Sequence, residues 1–170
     1  MELYIVRHAL AEPLSKHNEF SDEKRVLTDE GRKRLIEVVK GLRKLGVEPD
    51  LILTSPLARA LQTAEVMAES LGMNRNTVQQ TTALSPGAMV EQLFAEIKSQ
   101  DGMESIALVG HQPDLGKLIS TIINSGESDM SVQLKKAGVC CINVTETVPA
   151  LRGELLWLLA PKQLRMFAKS

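Results

Sequence analysis

Short apolar runs alternate with longer segments of helical period along most of the chain. The runs at 3–6, 51–54 and 106–110 contain almost no polar residue, which is typical of strands buried on both faces. The segments that follow place apolar residues three and four positions apart, which is the spacing of one helix face. Helices are therefore predicted over 28–45, 56–71, 88–99 and 113–123, with a weak strand near 78–82.

Capping residues mark the ends of the first two predicted helices. Ser and Thr are favoured before a helix, Pro in its first turn, and Gly just after its end. The predicted N-caps are Thr28 and Ser55, with Pro56 as the first residue of the second helix, and the predicted ends are Gly46 and Gly72. The predicted inward faces are Leu35, Val38, Val39, Leu42 and Leu45 in the first helix, and Leu57, Leu61, Ala64, Ala68 and Leu71 in the second.

The pattern changes after position 132. Two β-like runs, 132–145 and 153–160, follow one another without a helix between them, and are candidates for an antiparallel pair. Because strands alternate with helices before this point, the predicted fold is a three-layer α/β/α domain with a mainly parallel sheet and a less regular C-terminal edge. The length of 170 residues suits a single domain over 1–170.

Composition narrows the class of protein. A net charge of -1 and an aromatic content of 3% argue against a nucleic-acid binder. The apolar run at 155–160 is far shorter than the ~20 residues that span a bilayer, and no signal peptide is recognisable. Cys140 and Cys141 are adjacent inside an apolar run and form no metal or redox motif, so we expect a cytoplasmic protein. From the charge, the aromatic content and the short apolar run, we expect it to contact neither nucleic acid nor membrane.

Polar side chains follow three of the predicted strands at the points where the strands end. Arg7 and His8 follow the first strand, Ser55 with Arg59 one helical turn later follows the second, and His111 follows the third. Ligands of open α/β sheets bind outside the carboxyl ends of the strands, so the two histidines and the two arginines are predicted to meet. Each alone is more simply structural, but together they are the residues that a phosphate pocket needs, with hardly any carboxylate among them.

The residue types also suggest a reaction. A neutral imidazole attacks phosphorus without a separate base, so His8 is the candidate nucleophile. Arg7 and Arg59 would hold the phosphoryl oxygens with their planar guanidinium groups, and His111 would add a donor if protonated. His8, His111 and His17 are too few to bind a metal without an acidic cluster, so catalysis without a metal or other cofactor is expected. The basic residues of 24–44 are mixed with acids, as on a solvated helix face, or alternatively form a docking surface for an acidic partner.

Five segments of the chain together resemble the histidine phosphatase superfamily. They are VRHALAEP, LTDEGRKR, TSPLARALQTAE, VGHQPDL and GELLWLLAPKQL, and they occur in the family's order over nearly the whole chain. They are most similar to its short branch, the SixA-type phosphohistidine phosphatases. The resemblance implies a phosphoglycerate-mutase-like fold with one antiparallel strand. It also implies that His8 is the phosphorylated nucleophile and that Arg7, Arg59 and His111 bind phosphate.

One departure from the family bears on the substrate. The stretch at 81–88 has no carboxylate, whereas mutases and many ester phosphatases of the family carry a glutamate there as general acid. A phosphohistidine leaving group is an imidazole that water can protonate, so the missing acid favours a phosphohistidine-bearing protein as partner, with Glu12 as a possible substitute donor. The alternatives are a small-molecule phosphomonoester phosphatase and a non-catalytic phosphate-binding adaptor. The short chain leaves little beyond the core, so we expect an open groove that admits a side chain of a protein substrate. We also expect a monomer.

Overall fold

The computed structural model describes residues 1–14, 22–100, 102–124, 130–148 and 150–169. Within these ranges the apolar runs form one sheet and the periodic segments form the helices around it. The strands are β1 (Glu2–Arg7), β2 (Leu51–Thr54), β3 (Val78–Gln80), β4 (Ser105–Gly110), β5 (Val139–Glu146) and β6 (Arg152–Leu159). The helices are α1 (Asp29–Lys44), α2 (Ala58–Leu71), α3 (Val90–Lys98), α4 (Asp114–Asn124) and α5 (Pro161–Phe167).

The strand order of the sheet is β3-β2-β4-β1-β5-β6. The first four strands in this order are parallel, β5 is antiparallel to β1, and β6 is antiparallel to β5. β5 is therefore the one described strand that runs against the others. This arrangement confirms the predicted mixed sheet, and also the antiparallel pair at its C-terminal edge.

The two faces of the sheet bury two separate apolar clusters, because successive residues of a strand point to opposite sides. Ile5 packs in a cluster with α3 and α4, whereas Val6 packs in a cluster with α1, α2 and Leu164 of α5. Cys140 and Cys141 fill one cluster each and are free thiols. The predicted three-layer architecture is confirmed.

The first helix begins as predicted and ends slightly differently. Thr28 Oγ1 accepts a hydrogen bond from Gly31 N at 2.9 Å, which is the expected N-cap. Leu45, predicted to face the core, is 39% exposed, because the helix ends there and the chain turns away at Gly46. None of the described helices is long and apolar enough to cross a membrane, and α1, the longest, has 16 residues.

The second helix starts later than predicted. Its first residue is Ala58 and its N-cap position is Leu57, so Pro56 lies outside the helix and Ser55 does not cap it. The buried face also differs from the predicted one, because Leu57, Leu61 and Leu71 are only partly buried. The fully packed positions are instead Ala60, Thr63, Ala64, Val66, Met67 and Ala68, together with Arg59. Gly72 ends the helix with a left-handed φ of 76°, as predicted.

Other predicted boundaries shift by a few residues. The weak strand is limited to Val78–Gln80, since Thr82–Leu84 form a 3₁₀ turn. The third and fourth helices begin at Val90 and Asp114. The prediction that a strand begins at position 132 is wrong. The described residues 130–138 form no strand, because a turn precedes β5.

Close backbone approaches at two glycines of α1 hold neighbouring segments against this helix. A Cβ atom at Gly31 would lie 2.1 Å from Leu10 O, and one at Gly41 would lie 1.9 Å from Leu164 O. Both contacts are with backbone, which cannot move aside as a flexible side chain can. These glycines therefore set how closely the segment after β1 and helix α5 pack on α1.

We expect Gly41→Ala to destabilise the fold by about 1–3 kcal/mol, because the added methyl overpacks against α5. Intrinsic helix propensity alone predicts the opposite sign, a gain of about 1 kcal/mol. Urea unfolding of wild type, Gly41→Ala and the exposed α1 control Lys33→Ala separates the two effects. A Gly41→Ala variant as stable as wild type would contradict the close packing of α5.

Candidate active site

Backbone hydrogen bonds bring the ends of three parallel strands to one place. Arg7 of β1 is paired with Gly110 of β4, and His8 N donates to Gly110 O at 3.1 Å. Ser55 N, just after β2, donates to Val109 O at 3.0 Å. His8, Ser55 and His111 therefore lie at the same carboxyl edge of the sheet, which the sequence predicts for the two histidines.

His8 is buried, and its tautomer is fixed by the neighbouring backbone. Its Nδ1 lies 2.8 Å from Ala9 O, and a carbonyl oxygen only accepts hydrogen bonds. Nδ1 therefore carries the proton and Nε2 keeps its lone pair, as a nucleophile requires. Ala9 N donates to Thr63 Oγ1 at 3.0 Å, and Thr63 Oγ1 donates to Arg59 O at 2.6 Å. The segment after His8 is thereby tied to α2.

His111 faces His8 and has a hydroxyl partner. The two ring centroids are 5.3 Å apart, and the planes are inclined by 51°. His111 Nε2 lies 2.9 Å from Ser55 Oγ, and the same hydroxyl oxygen accepts a hydrogen bond from Leu57 N at 3.3 Å. Ser55 thus serves the site rather than the helix cap predicted for it. The sequence did not predict the contact between Ser55 and His111, because a Ser before a Pro is also typical of a helix start.

Two arginines flank the histidines, and the guanidinium group of each donates hydrogen bonds to acceptors of the protein. Arg7 Nη1 donates to Leu134 O at 2.8 Å. Arg59 Nη1 donates to Asp22 O at 2.7 Å, and its Nη2 lies 2.9 Å from Asp22 Oδ2. A guanidinium has five N–H donors, so each arginine keeps donors for a ligand.

Asp22 corrects the expectation that hardly any carboxylate belongs to the site. It also forms an ion pair with Arg25 at 2.7 Å. Partial desolvation, which alone raises the pKa of Asp22, is outweighed by the hydrogen bonds and charges of Arg59 and Arg25, so its pKa lies below the ordinary value. Asp22 lies 37 positions before Arg59 and belongs to no periodic pattern or motif, so the sequence did not predict that the two side chains meet.

Three buried nitrogens of the predicted site residues have no hydrogen-bond partner among the described residues. They are Arg7 Nε, Arg59 Nε and His111 Nδ1. Most buried polar groups in proteins are hydrogen-bonded, and an unmade bond costs about 1–3 kcal/mol. Their concentration around His8 indicates a site that is completed by an acceptor-rich anion.

Burial keeps both histidines neutral near pH 7. Desolvation lowers the pKa of His8 to about 3, against an opposing hydrogen bond to Ala9 O, and the charges of Arg59 and Arg7 lower it further. Desolvation and Arg59 lower the pKa of His111 to about 4. Desolvation also lowers the pKa of Arg7. A bound dianion would reverse the effect of the arginines and favour protonation of His111.

The remaining candidates lie apart from this cluster or outside the described residues. Glu12 is exposed, and His17 falls in the segment 15–21 that the structure does not describe. Within the described ranges no three His, Cys, Asp or Glu side chains come together as a metal site. The acid-free stretch at 81–88 does meet a carboxylate in space, because Gly87 N donates to Asp114 Oδ2 at 3.1 Å.

Comparison with known proteins gives one family and one fold. The model of the histidine phosphatase superfamily (branch 1) matches residues 3–85. An uncharacterized protein of Picosynechococcus is 37% identical over 142 residues, which are 82% of each chain. The protein histidine phosphatase SixA complexed with tungstate has a TM-score of 0.83 at 23% identity, over 96% of this chain and 99% of that one. The α-ribazole phosphatase of Shigella flexneri has a TM-score of 0.72 at 18% identity, over 95% and 97%.

Acidification should destabilise the protein through its two buried histidines. Their folded pKa values lie below the unfolded value of ~6.5, so the unfolded chain binds protons first and stability falls as the pH drops below that value. Between pH 7 and pH 5, each histidine should lower the free energy of unfolding by about 2 kcal/mol. Urea unfolding at both pH values should show His111→Gln losing about 2 kcal/mol less than wild type. Equal losses would contradict the low pKa of His111.

Asp22→Asn should strengthen the binding of inorganic phosphate, because the carboxylate both repels an anion and occupies Arg59. We expect a gain of about threefold to tenfold, the scale of one partly screened charge. Isothermal titration calorimetry measures the dissociation constant, and Glu23→Gln is the matched control, as an exposed neighbour with the same charge change. Weaker binding by Asp22→Asn would mean that Asp22 serves mainly to position Arg59.

Proposed function

Because this chain belongs to the histidine phosphatase superfamily, we propose that it is a phosphatase that hydrolyses phosphohistidine on a partner protein. The partner is a phosphotransfer domain or a similar protein, and the reaction passes through a covalent phosphohistidine at His8. The observation that carries the proposal is a group of buried nitrogens on Arg7, Arg59 and His111 that have no hydrogen-bond partner among the described residues and that surround a neutral nucleophile.

The site residues account for both steps of the reaction. His8 Nε2 attacks phosphorus with its lone pair, and the bond from phosphorus to the substrate imidazole breaks. The leaving imidazole takes a proton from water, since its ring nitrogen is basic enough to do so near neutral pH. A second water then attacks phosphorus, and the P–N bond to His8 breaks, which releases inorganic phosphate and returns His8 to its neutral form.

The guanidinium groups supply the charge that the transition state needs. The transferring phosphoryl group spreads negative charge over its equatorial oxygens, and buried preorganised donors stabilise that charge strongly. The Nε–H groups of Arg7 and Arg59 have no hydrogen-bond partner in the described residues. They can therefore bind the phosphoryl group without first losing a hydrogen bond within the protein. This supply of positive charge is why the proposal involves no metal ion.

The choice of a P–N substrate rests on the leaving group. The chain carries no carboxylate in 81–88, and a poor alkoxide leaving group needs an acid more than an imidazole does. The fold match to a protein histidine phosphatase supports the same substrate class. In this proposal the chain is a SixA-type enzyme.

One observation favours a small-molecule phosphomonoester instead. Asp114 contacts Gly87 and lines a small cavity with His111, so a carboxylate does lie near the position where ester phosphatases need an acid. The α-ribazole phosphatase of Shigella flexneri shares the fold. A panel of sugar phosphates tested beside phosphohistidine protein separates the two substrates.

His8→Ala should abolish the proposed activity, with a loss of about a thousandfold or more, because the covalent route is removed. The assay mixes the protein with a phosphohistidine-bearing phosphotransfer domain and a chelator, and follows phosphate loss by gel mobility. Binding of inorganic phosphate by His8→Ala serves as the control for folding, since both arginines remain. Wild type that acts far faster on sugar phosphates would overturn the proposal, and wild type that only binds phosphate would indicate an adaptor.

A further inference from the structure

A cavity of about 380 Å³ lies beside the residues that flank His8. It is formed by the segment after β1, the start of α1, the turn before β5 and the start of α5. Five of its eleven lining residues are cationic, and the other six are aliphatic, proline or glycine. The cations are Arg7, Arg34, Lys135, Lys136 and Arg165.

The positive charge of this basic cavity is largely uncompensated within the described part of the chain. No acidic residue is among the lining residues, and only Arg34 forms an ion pair, with Glu30. The carboxylate of Glu37 lies within electrostatic range of Arg165 but pairs with Lys40 at 2.8 Å. Arg165 Nε is buried and has no partner in the described residues. In a chain of net charge -1, such a cluster indicates an anionic ligand.

Hydrogen bonds fix the two lysines next to the nucleophile. Ala137 N donates to Arg7 O at 3.0 Å and to His8 O at 3.2 Å, and Gly138 N closes the turn on Lys135 O at 2.7 Å. The residue before the turn, Leu134, accepts the hydrogen bond from Arg7 Nη1. A group bound in the basic cavity therefore sits at a set position relative to the phosphoryl site.

The packing of α1 places the other cations. Gly31 lets the segment after β1 approach α1, and Gly41 lets α5 approach it at Leu164, the neighbour of Arg165. α1 thus presents Arg34 on one side of the cavity while α5 presents Arg165 on the other. The walls of the cavity are therefore positioned by these close backbone contacts, and not by exposed side chains alone.

We propose that the basic cavity binds an acidic side chain of the substrate protein that lies close to the phosphohistidine. This inference rests on the proposed function, since it names a recognition element of that substrate. A Glu or Asp side chain suits a site with a cationic rim and an apolar floor, because its methylene groups pack while its carboxylate pairs. The volume, near the lower end for ligand pockets, admits a side chain and excludes a helix.

Two peptides of the same length test the proposal. Each carries one phosphohistidine, prepared with phosphoramidate, and a fluorescent label; one has glutamates on both sides and the other has glutamines. Binding is measured by fluorescence anisotropy on His8→Ala, so that turnover does not consume the probe. The double variant Lys135→Gln/Lys136→Gln, made in the same background, removes two cavity charges that form no ion pair with the described residues. The matched control is Arg43→Gln/Lys44→Gln, an equal charge change on exposed residues at the other end of α1.

We expect the glutamate peptide to bind about fivefold or more tightly than the glutamine peptide, and the lysine double variant to lose that preference while the control keeps it. Added NaCl should reduce the preference, because the contacts are between charges. Equal binding of both peptides, or equal preference in the lysine variant and the control, would overturn the inference. Hydrolysis of the same peptides by wild type reports separately on the proposed function, so tight binding without turnover would refute only the latter.

Discussion

The hydrogen-bonded register of β1, β4 and β2 determines where His8, Ser55 and His111 lie in the site. Parallel strands that are paired residue by residue must end at the same edge, and His8, His111 and Ser55 come immediately after those ends. The apolar interior of the strands is what makes the register unique, since a slip of one residue would turn each buried side chain to the other face. Packing of the core and placement of the site are therefore one constraint.

The same burial sets the chemistry of the histidines. A nucleophile at neutral pH must be unprotonated, and desolvation holds His8 in that form with a pKa of about 3. The same burial leaves one nitrogen each of Arg7, Arg59 and His111 without a hydrogen-bond partner among the described residues, which costs free energy. Sites that bind anions tolerate such a cost because the ligand removes it. Stability and anion binding at this edge of the sheet are thus coupled.

Much of this arrangement could be predicted from the sequence, because the signals are local. An apolar run followed directly by Arg-His or Gly-His places the polar residue at a strand end, whichever helix comes next. Asp22 could not be predicted, since nothing in the spacing between positions 22 and 59 says that the loop returns to α2. The role of Ser55 could not be predicted for a related reason, because its hydroxyl contacts His111, which follows a different strand, in addition to Leu57 N. The cavity beside Arg7 was also beyond prediction, as it depends on two glycine contacts made by residues far apart in the chain.

Charge balance links the two histidines to the binding event. Without a ligand, the nearby cationic charge of Arg59 is partly offset by Asp22, and both imidazoles remain neutral. In the proposed reaction, a phosphoryl group brings negative charge against His111, which favours the protonated form of His111 and makes it a further donor. His8 does not need the same change in that proposal, because its Nδ1 proton is already committed to Ala9 O and its Nε2 is the atom that would bond to phosphorus. Two identical side chains 5.3 Å apart thereby take different roles, and the backbone carbonyl next to His8 is the feature that distinguishes them.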